Sequence, residues 1–300
     1  MKALASRVMA GRSQAALIVL ATMLLSLLLP PLLLLSGAAL ALVTLRRGLS
    51  EGTVVLALAA AVSLLLGYLL FGHAGPVAGV LPGFWLPVLM LAAVLRATVS
   101  LAVAVLVAAA AGWVVVGGFY AALGDPAVWW QQWLTSVLEP AFSEAGIDPA
   151  SSGLHDLLTW LAPLMPGAIA ANLVLSALLA LLIGRWWQAQ LFNPGGFQQE
   201  FHGLRLGRSM ALVAIAVWLG AVLSGLPWLV NLGLPLAMAL VLQGLAVVHG
   251  TIAAKGWKAW PLGVLYGALL VAAPQVVLGL CVLALVDSWA DLRARAARSG

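Results

Sequence analysis

The sequence predicts an all-α, polytopic membrane protein, a helix bundle of about eight to ten transmembrane helices plus short interfacial helices. Of its 300 residues, 64% are apolar and 8% are charged, against about a quarter charged in soluble domains. The mean hydropathy is +1.12. Apolar runs recur along the whole chain and leave no polar segment long enough for a water-soluble core. Residues 1–300 are therefore predicted to form a single membrane domain.

The first apolar run, residues 14–45, is predicted to form two short, tilted helices. It is interrupted at Pro30 and Pro31, and Arg46 and Arg47 close it with the same charge sign that precedes it. Since positive residues favour the cytoplasmic side, both ends of the run belong there. The basic residues before the run predict an uncleaved anchor with a cytoplasmic amino terminus.

Arg96 decides the topology of the next long run, residues 84–118. An arginine at the bilayer centre costs about 2.5 to 3.5 kcal/mol on insertion scales, whereas one in a turn costs little. We therefore expect Arg96 at a cytoplasmic turn between two shorter helices. The alternative is a buried arginine that lines a solute cavity, because charges inside the membrane are often functional.

Residues 119–158 are predicted to be an external loop that carries an interfacial helix. No Lys or Arg lies between positions 97 and 184, whereas five of the nine acidic residues do. The Asp-Pro pair at positions 125 and 126 starts a helix with Trp129, Trp130 and Trp133 on one apolar side. Tryptophan prefers the headgroup level. The helix is interpreted as a surface anchor or as a lid over an external mouth.

Residues 185–208 form the longest polar segment on the basic side and are predicted to be a cytoplasmic loop. An Asn-Pro-Gly-Gly turn begins at position 193, and Phe197, Phe201 and Leu204 then recur at helical spacing. This apolar face is a candidate docking surface for a partner protein.

The last apolar run, residues 260–286, has two interpretations. One crossing suits its length but places the carboxyl-terminal arginines outside, and two crossings broken at Pro274 suit the charges but give short helices.

No motif of a common enzyme occurs: HExxH, CxxC, GxGxxG, a Walker lysine loop and GxSxG are all missing from the sequence. We therefore expect no enzyme and no bound cofactor. His73, His202 and His249 are spaced too widely to suggest a metal site. Scattered basic residues argue against nucleic acid as a partner and point to the lipid bilayer.

Polar side chains within apolar runs are the candidate solute ligands. Asn172 and Gln275 each lie near a proline that frees backbone carbonyls, and broken helices build solute sites in transporters. Arg96 joins them in its cavity alternative. For other polar residues in these runs, such as Asn231 and Gln243, hydrogen bonding between helices is the simpler interpretation. The predicted substrate-binding residues are Arg96, Asn172 and Gln275.

Four segments resemble the YybS-like family of uncharacterised bacterial inner-membrane proteins. They are RVMAGRSQAAL at 7–17, LRRGLSEG at 45–52, NPGGFQQEFHGLRL at 193–206 and VDSWADLRARA at 286–296. The family is remotely similar to the substrate-binding membrane subunits of energy-coupling-factor uptake systems, which implies a solute-binding, transport-type subunit without its own energy source that works with an ATPase complex. It is also remotely similar to the rod-shape protein MreD, which implies a scaffold that docks envelope proteins through its cytoplasmic loop.

Overall fold

A computed structural model describes residues 1–73, 75–146 and 153–298, and all regular structure in these residues is helical. The helices are α1 (Lys2–Val8), α2 (Arg12–Leu25), α3 (Leu32–Arg47), α4 (Leu49–Phe71), α5 (Gly75–Ala78), α6 (Leu86–Thr98), α7 (Leu101–Leu123), α8 (Pro126–Glu144), α9 (Leu154–Leu161), α10 (Met165–Phe192), α11 (Gly196–His202), α12 (Arg208–Ser224), α13 (Pro227–Ala254), α14 (Trp260–Val271), α15 (Ala273–Ala290) and α16 (Leu292–Arg298). A π-helical turn, Leu81–Trp85, precedes α6, and a 3₁₀ turn, Ala162–Leu164, precedes α10. The predicted all-α architecture is confirmed.

Six helical segments among the described residues are long and apolar enough to cross a bilayer. They are Leu49–Leu70, Leu81–Thr98, Leu101–Leu123, Leu154–Phe192, Pro227–Ala254 and Ala273–Ala290. The shorter apolar helices α2, α12 and α14 add to them. The chain is a multi-pass membrane protein, since each of these segments is long enough to cross the hydrocarbon core.

The helices cluster into two compact units, each described here by itself. Unit 1 comprises Met1–Ala108, Leu175–Gly207 and Ala239–Gly300. Unit 2 comprises Ala109–Val174 and Arg208–Met238. The long helices α7, α10 and α13 contribute residues to both.

In unit 1, α2 and α3 form the predicted hairpin around Pro30 and Pro31. The 14 residues of α2 and the 16 of α3 rise only about 21 and 24 Å, at 1.5 Å per residue. Backbone amides in the turn bond to nearby carbonyls, as in Leu27 to Leu24 at 3.2 Å and Leu28 to Leu25 at 3.1 Å. The prolines have no amide to satisfy. The backbone amides of the turn thus find acceptors within the turn itself, which is required where no water is present.

Three arginines at one end of unit 1 bind the ends of α2 and α3 to neighbouring segments. Arg12 makes a bidentate ion pair with Glu51 at the start of α4, with Nε 2.8 Å from Oε2. Arg47 donates to a carbonyl just past α1 at 2.5 Å. Arg96 lies in the last turn of α6 and donates to the Leu45 carbonyl at 2.6 Å. We call this the basic end of unit 1. The predicted turn at Arg96 is confirmed, and its side of the membrane stays a prediction.

Helices α3 and α10 cross closely within unit 1 because glycines meet at the crossing. A Cβ on Gly184 would lie 2.8 Å from the Ala38 carbonyl oxygen, and one on Gly37 would lie 2.8 Å from the Ala180 Cβ. Small residues let membrane helices approach to backbone contact. This crossing holds α10 against α3 at residues 180–184.

The run at 260–286 forms two helices, α14 and α15, that break just before Pro274. Proline lacks the amide that would continue the helical ladder. Trp257, ahead of α14, and Lys2 line one cavity at the basic end. Arg293, beyond α15, donates at 2.6 Å to the carbonyl of His202, a residue of the same cavity wall. Both ends of the run therefore lie at the basic end, as the two-helix interpretation requires.

Unit 2 is organised around the side-chain amide of Asn231, which is fully buried. Its Oδ1 accepts a hydrogen bond from the Gly167 amide at 2.6 Å. Its Nδ2 lies 3.1 Å from the Tyr120 hydroxyl oxygen and 2.9 Å from the carbonyls of Pro163 and Pro227. One amide therefore links α7, the α9–α10 junction and α13. The predicted role of Asn231 in hydrogen bonding between helices is confirmed.

The predicted external loop, residues 119–158, is largely helical where the structure describes it. Residues 119–123 belong to α7, because the apolar pattern continues until Gly124, whose φ of +68° ends the helix. The loop therefore starts later than predicted. Positions 147–152, which include Asp148, lie outside the described residues.

The three tryptophans of α8 pack against one another on one side of the helix, but they differ in burial. Trp130 is buried and lies 6.1 Å from Phe119, centroid to centroid. Trp129 and Trp133 are exposed and stack 6.4 Å apart. Positions 129, 130 and 133 fall within an arc of about 100° around the helix axis, and Trp130, at one edge of this arc, is the residue buried in unit 2.

Candidate functional site

The predicted cytoplasmic loop, residues 185–208, is shorter in the structure. Helix α10 continues to Phe192, because no helix-breaking residue occurs before the Asn-Pro-Gly-Gly turn. Gly195, at φ +85°, adopts the left-handed conformation that starts α11. We call residues 193–207 the connecting loop.

Gln243 of α13 fastens the carboxyl-terminal part of the connecting loop. Its side chain is buried, and its Oε1 accepts from the Leu206 amide at 3.0 Å. Its Nε2 donates to the Ala284 carbonyl in α15 at 2.9 Å. The side-chain amide of Gln243 therefore joins α13 to both the connecting loop and α15. The predicted hydrogen-bonding role of Gln243 is confirmed.

Arg293 fastens the same part of the loop from the other side. Its guanidinium pairs with Asp287 at 2.8 Å, with side-chain exposures of 8% and 1%. Its Nη1 donates to the carbonyls of His202 and Leu204 at 2.6 and 3.0 Å. A buried charge must be paired and hydrogen-bonded, and these contacts do both. The loop is thus held in a defined position.

The connecting loop has a third attachment, an exposed ion pair with the carboxyl-terminal segment. Nη1 and Nη2 of Arg205 donate to the two carboxylate oxygens of Asp291, at 2.9 and 2.5 Å. The hydrogen bond from Arg205 holds the pKa of the Asp291 carboxyl below its ordinary value.

A cavity of about 900 Å³ opens between the connecting loop, α10, α13 and α14. Its volume falls in the range of about 300 to 1,000 Å³ typical of small-molecule sites. Aromatic side chains form much of its wall: Trp186, Phe197, Phe201, Trp257 and Tyr266. Its polar side chains are Lys2, Gln190, Gln198, His202 and His249. We call it the aromatic cavity.

His249 is held in one orientation on the cavity wall. Its Nδ1 lies 2.8 Å from the Leu245 carbonyl oxygen, and its Nε2 lies 3.2 Å from the Tyr266 hydroxyl. A carbonyl only accepts, so Nδ1 carries a hydrogen and donates it to Leu245, and Nε2 shares a hydrogen bond with the Tyr266 hydroxyl. The two side chains therefore present a fixed polar edge.

His202 lies beside His249 in the same wall, with ring centroids 6.3 Å apart. Burial lowers the pKa of His202, and the charges of His249 and Arg293 lower it further. The sequence spacing of these histidines is wide, and the fold nevertheless brings two of them together. Among the described residues no group of three His, Cys, Asp or Glu side chains is placed to hold a metal ion.

Arg96 lines a second cavity, of about 330 Å³, at the basic end. Arg46, Arg185 and Glu200 also line it. Arg185 pairs with Glu200 at 2.7 Å. We call this cavity the arginine cleft.

The three predicted substrate-binding residues do not converge. Asn172 is exposed on the part of α10 that belongs to unit 2, and Gln275 is exposed near the start of α15. Neither lines the aromatic cavity or the arginine cleft. Both residues were chosen because a proline lies near them in the sequence, and that proximity does not identify the residues that line a cavity.

Sequence reasoning missed the aromatic residues and histidines of the larger cavity. Phe197 and Phe201 had a usable signal, their helical spacing after the turn, but it was interpreted as an outward docking face. Trp186, Trp257 and Tyr266 come from three separate segments, so only the tertiary fold assembles them.

Comparison with protein-family models, with curated proteins and with solved structures finds no match for this chain. The resemblance to the YybS-like family stays a prediction.

Proposed function

We propose that this chain is a solute-binding, transport-type subunit of a bacterial inner membrane, with a binding rather than a catalytic role. The aromatic cavity carries the proposal, because its size and lining match those of small-molecule sites. Under the positive-inside rule the basic end lies in the cytoplasm. The amino terminus and the mouth of the cavity then face the cytoplasm.

The lining indicates an amphipathic organic solute with a flat apolar face. Phe201 stands edge-on to His249 at 5.7 Å, and His249 stands edge-on to Tyr266 at 5.9 Å. Such rings stack on planar groups, while their polar edges fix orientation by hydrogen bonds. Gln190 and Lys2 supply further donors at the wall.

The proposal includes a partner that supplies energy, an ATPase complex of the kind that the resemblance implies. The connecting loop forms one wall of the aromatic cavity and exposes Gln198 and Gln199. A partner on this loop would contact the protein beside the bound solute.

The test is native mass spectrometry of the protein extracted gently from its own membranes. We expect a retained small molecule in the wild-type protein and its loss in Phe201→Ala and Tyr266→Ala. Trp260→Ala is the matched control, because Trp260 is 70% exposed and lies outside the aromatic cavity. A folded protein without a bound molecule, or equal retention in the Phe201→Ala variant, would contradict the proposal.

A second candidate function is docking of envelope proteins, which one observation favours. Gln243, Arg293 and Arg205 hold the connecting loop in place, as suits a surface that must be recognised. Phe197 and Phe201 line the cavity and Leu204 is buried, so the docking face would be the exposed amide side instead. Under this alternative, Gln199→Lys removes a copurifying protein and leaves solute retention unchanged.

A further inference from the structure

We propose that the arginine cleft binds a phosphate group, carried either by a lipid headgroup or by a soluble phosphate ester. The cleft is a different site from the aromatic cavity, because none of its three arginines lines that cavity.

The charge of the cleft suits a phosphate. Arg46, Arg96 and Arg185 line it, and Glu200 is the one carboxylate of its lining, which leaves an excess of two positive charges. A phosphate monoester carries about 1.5 to 2 negative charges at neutral pH, and a lipid phosphodiester carries one, so the cleft can neutralise either. The volume of about 330 Å³ admits such a group together with part of the molecule that carries it.

Two of the arginines are held in place by contacts that leave most of their donors free for a ligand. The Arg46 guanidinium lies over the ring of Phe192, 4.3 Å from its centroid. Nη1 of Arg96 donates to the Leu45 carbonyl at 2.6 Å. Each guanidinium has five N–H donors in a planar fork that matches phosphate oxygens. Holding them in advance lowers the entropic cost of binding.

The third arginine, Arg185, is paired with Glu200, which a phosphate can replace. Nε of Arg185 lies 2.7 Å from Glu200, and both side chains are largely withdrawn from water, at 17% and 21% exposure. Burial raises the pKa of Glu200, and the charge of Arg185 opposes that rise. A phosphate monoester offers Arg185 more negative charge than this carboxylate does, and a phosphodiester offers the same charge, so either can compete for the guanidinium.

The backbone at the rim of the cleft is strained. Val99, which lines the cleft, ends α6 at φ +52° in the left-handed region. For a residue with a Cβ this conformation is sterically unfavourable. Glycine usually fills such a position, and backbone strain concentrates at ligand sites. The strained turn ends α6 directly after the segment that presents Arg96.

The position of the cleft fits a phosphate at the membrane surface. Its arginines come from the ends of α3, α6 and α10. Basic pockets between membrane helices bind anionic headgroups on the cytoplasmic side.

The test is isothermal titration calorimetry of the purified protein in neutral detergent and phosphate-free buffer. Dihexanoyl phosphatidylglycerol and glycerol 3-phosphate are the two probes, and dihexanoyl phosphatidylcholine is the lipid control. The variants are Arg46→Gln/Arg96→Gln and the charge-retaining Arg96→Lys. Lys258→Gln is the matched control, because Lys258 is exposed and lies outside the cleft.

We expect saturable binding of at least one probe, weakened about tenfold or more in the double variant, because charge-assisted hydrogen bonds are lost. Arg96→Lys keeps the charge but loses the fork, so we expect weaker binding there too, and no change in Lys258→Gln. Binding of phosphatidylglycerol alone identifies a lipid headgroup, and binding of glycerol 3-phosphate as well identifies a soluble ester. If neither probe binds saturably, or if Arg96→Lys binds as the wild type does, the proposal is wrong. The lysine variant keeps this test decisive even where the double variant does not fold.

Discussion

Asp287 and Arg293 form an ion pair of 2.8 Å whose side chains are 1% and 8% exposed, where α15 ends. The same guanidinium donates to the carbonyls of His202 and Leu204. One buried arginine therefore joins the last apolar helix to the connecting loop that forms a wall of the aromatic cavity.

Breaking this pair is expected to destabilise unit 1 strongly. Arg293→Met leaves Asp287 buried without a counter-charge, which costs about 3 to 5 kcal/mol. Asp287→Asn/Arg293→Met should recover part of that loss. The measurement is unfolding by denaturant in detergent micelles. Arg205→Met, which breaks an exposed pair, should change stability little because water and salt screen it. Equal losses in Arg293→Met and Arg205→Met would refute the buried coupling.

The amide of Asn231 is expected to matter far more than that of Asn172. Asn231→Leu removes the contacts with Gly167, Tyr120 and two proline carbonyls. At about 0.6 kcal/mol for each hydrogen bond in a membrane protein, the loss is about 2 kcal/mol. Asn172→Leu, at an exposed position, should stay within about 0.5 kcal/mol. Comparable melting temperatures for the two variants would show that Asn231 does not organise unit 2.

Alanine at two helical glycines should have opposite effects. Gly184→Ala places a Cβ 2.8 Å from the Ala38 carbonyl oxygen, and such overpacking costs about 1 to 3 kcal/mol. Gly263→Ala meets no atom within 4 Å and should gain about 0.5 to 1 kcal/mol from helix propensity. Thermal unfolding of both variants checks the prediction. A stabilised Gly184→Ala protein would mean that α3 and α10 do not cross closely.

His202 is expected to make the protein less stable in mild acid. Its pKa in the folded protein lies below the ordinary value of about 6.5, chiefly because of burial, with His249 and Arg293 adding to the effect. The unfolded chain therefore takes up the proton first as pH falls, and stability declines from about pH 6.5 down to the folded pKa. Melting temperatures at pH 7.5 and 5.5 test this. His202→Gln should show a smaller decline, and an unchanged decline would count against the assignment.

Much of the fold followed from residue patterns that act locally. The paired prolines at 30 and 31 predicted the α2–α3 hairpin, and the cost of burying Arg96 predicted the turn after α6. Helix boundaries were less accurate at positions 119 and 185. The apolar pattern continues past 119 to the end of α7, whereas α10 continues past 185 through polar residues. Whether residues 260–286 form one helix or two could not be decided from the sequence, because the charge and length arguments opposed each other. Only the tertiary contacts decide for two.

The candidate sites were predicted less well, because they depend on which side chains meet. Arg96 was identified by its charge, but its neighbours Arg46 and Arg185 come from distant helices. Asn172 and Gln275 shared the polar character of Asn231 and Gln243, and only packing separates the buried amides from the exposed ones. A polar residue in an apolar run thus indicates that its side chain needs a hydrogen-bonding partner, but the sequence does not identify that partner.

The measurement that tests the account most directly is the side of the membrane on which the aromatic cavity opens. Cys281 is buried, so Cys281→Ala gives a background for single cysteines introduced as Gln198→Cys in the connecting loop and Glu139→Cys in α8. A membrane-impermeant maleimide applied to spheroplasts should label Glu139→Cys at once and Gln198→Cys only after the membrane is disrupted. Labelling of Gln198→Cys on intact spheroplasts would place the cavity and the arginine cleft outside the cytoplasm and contradict the account.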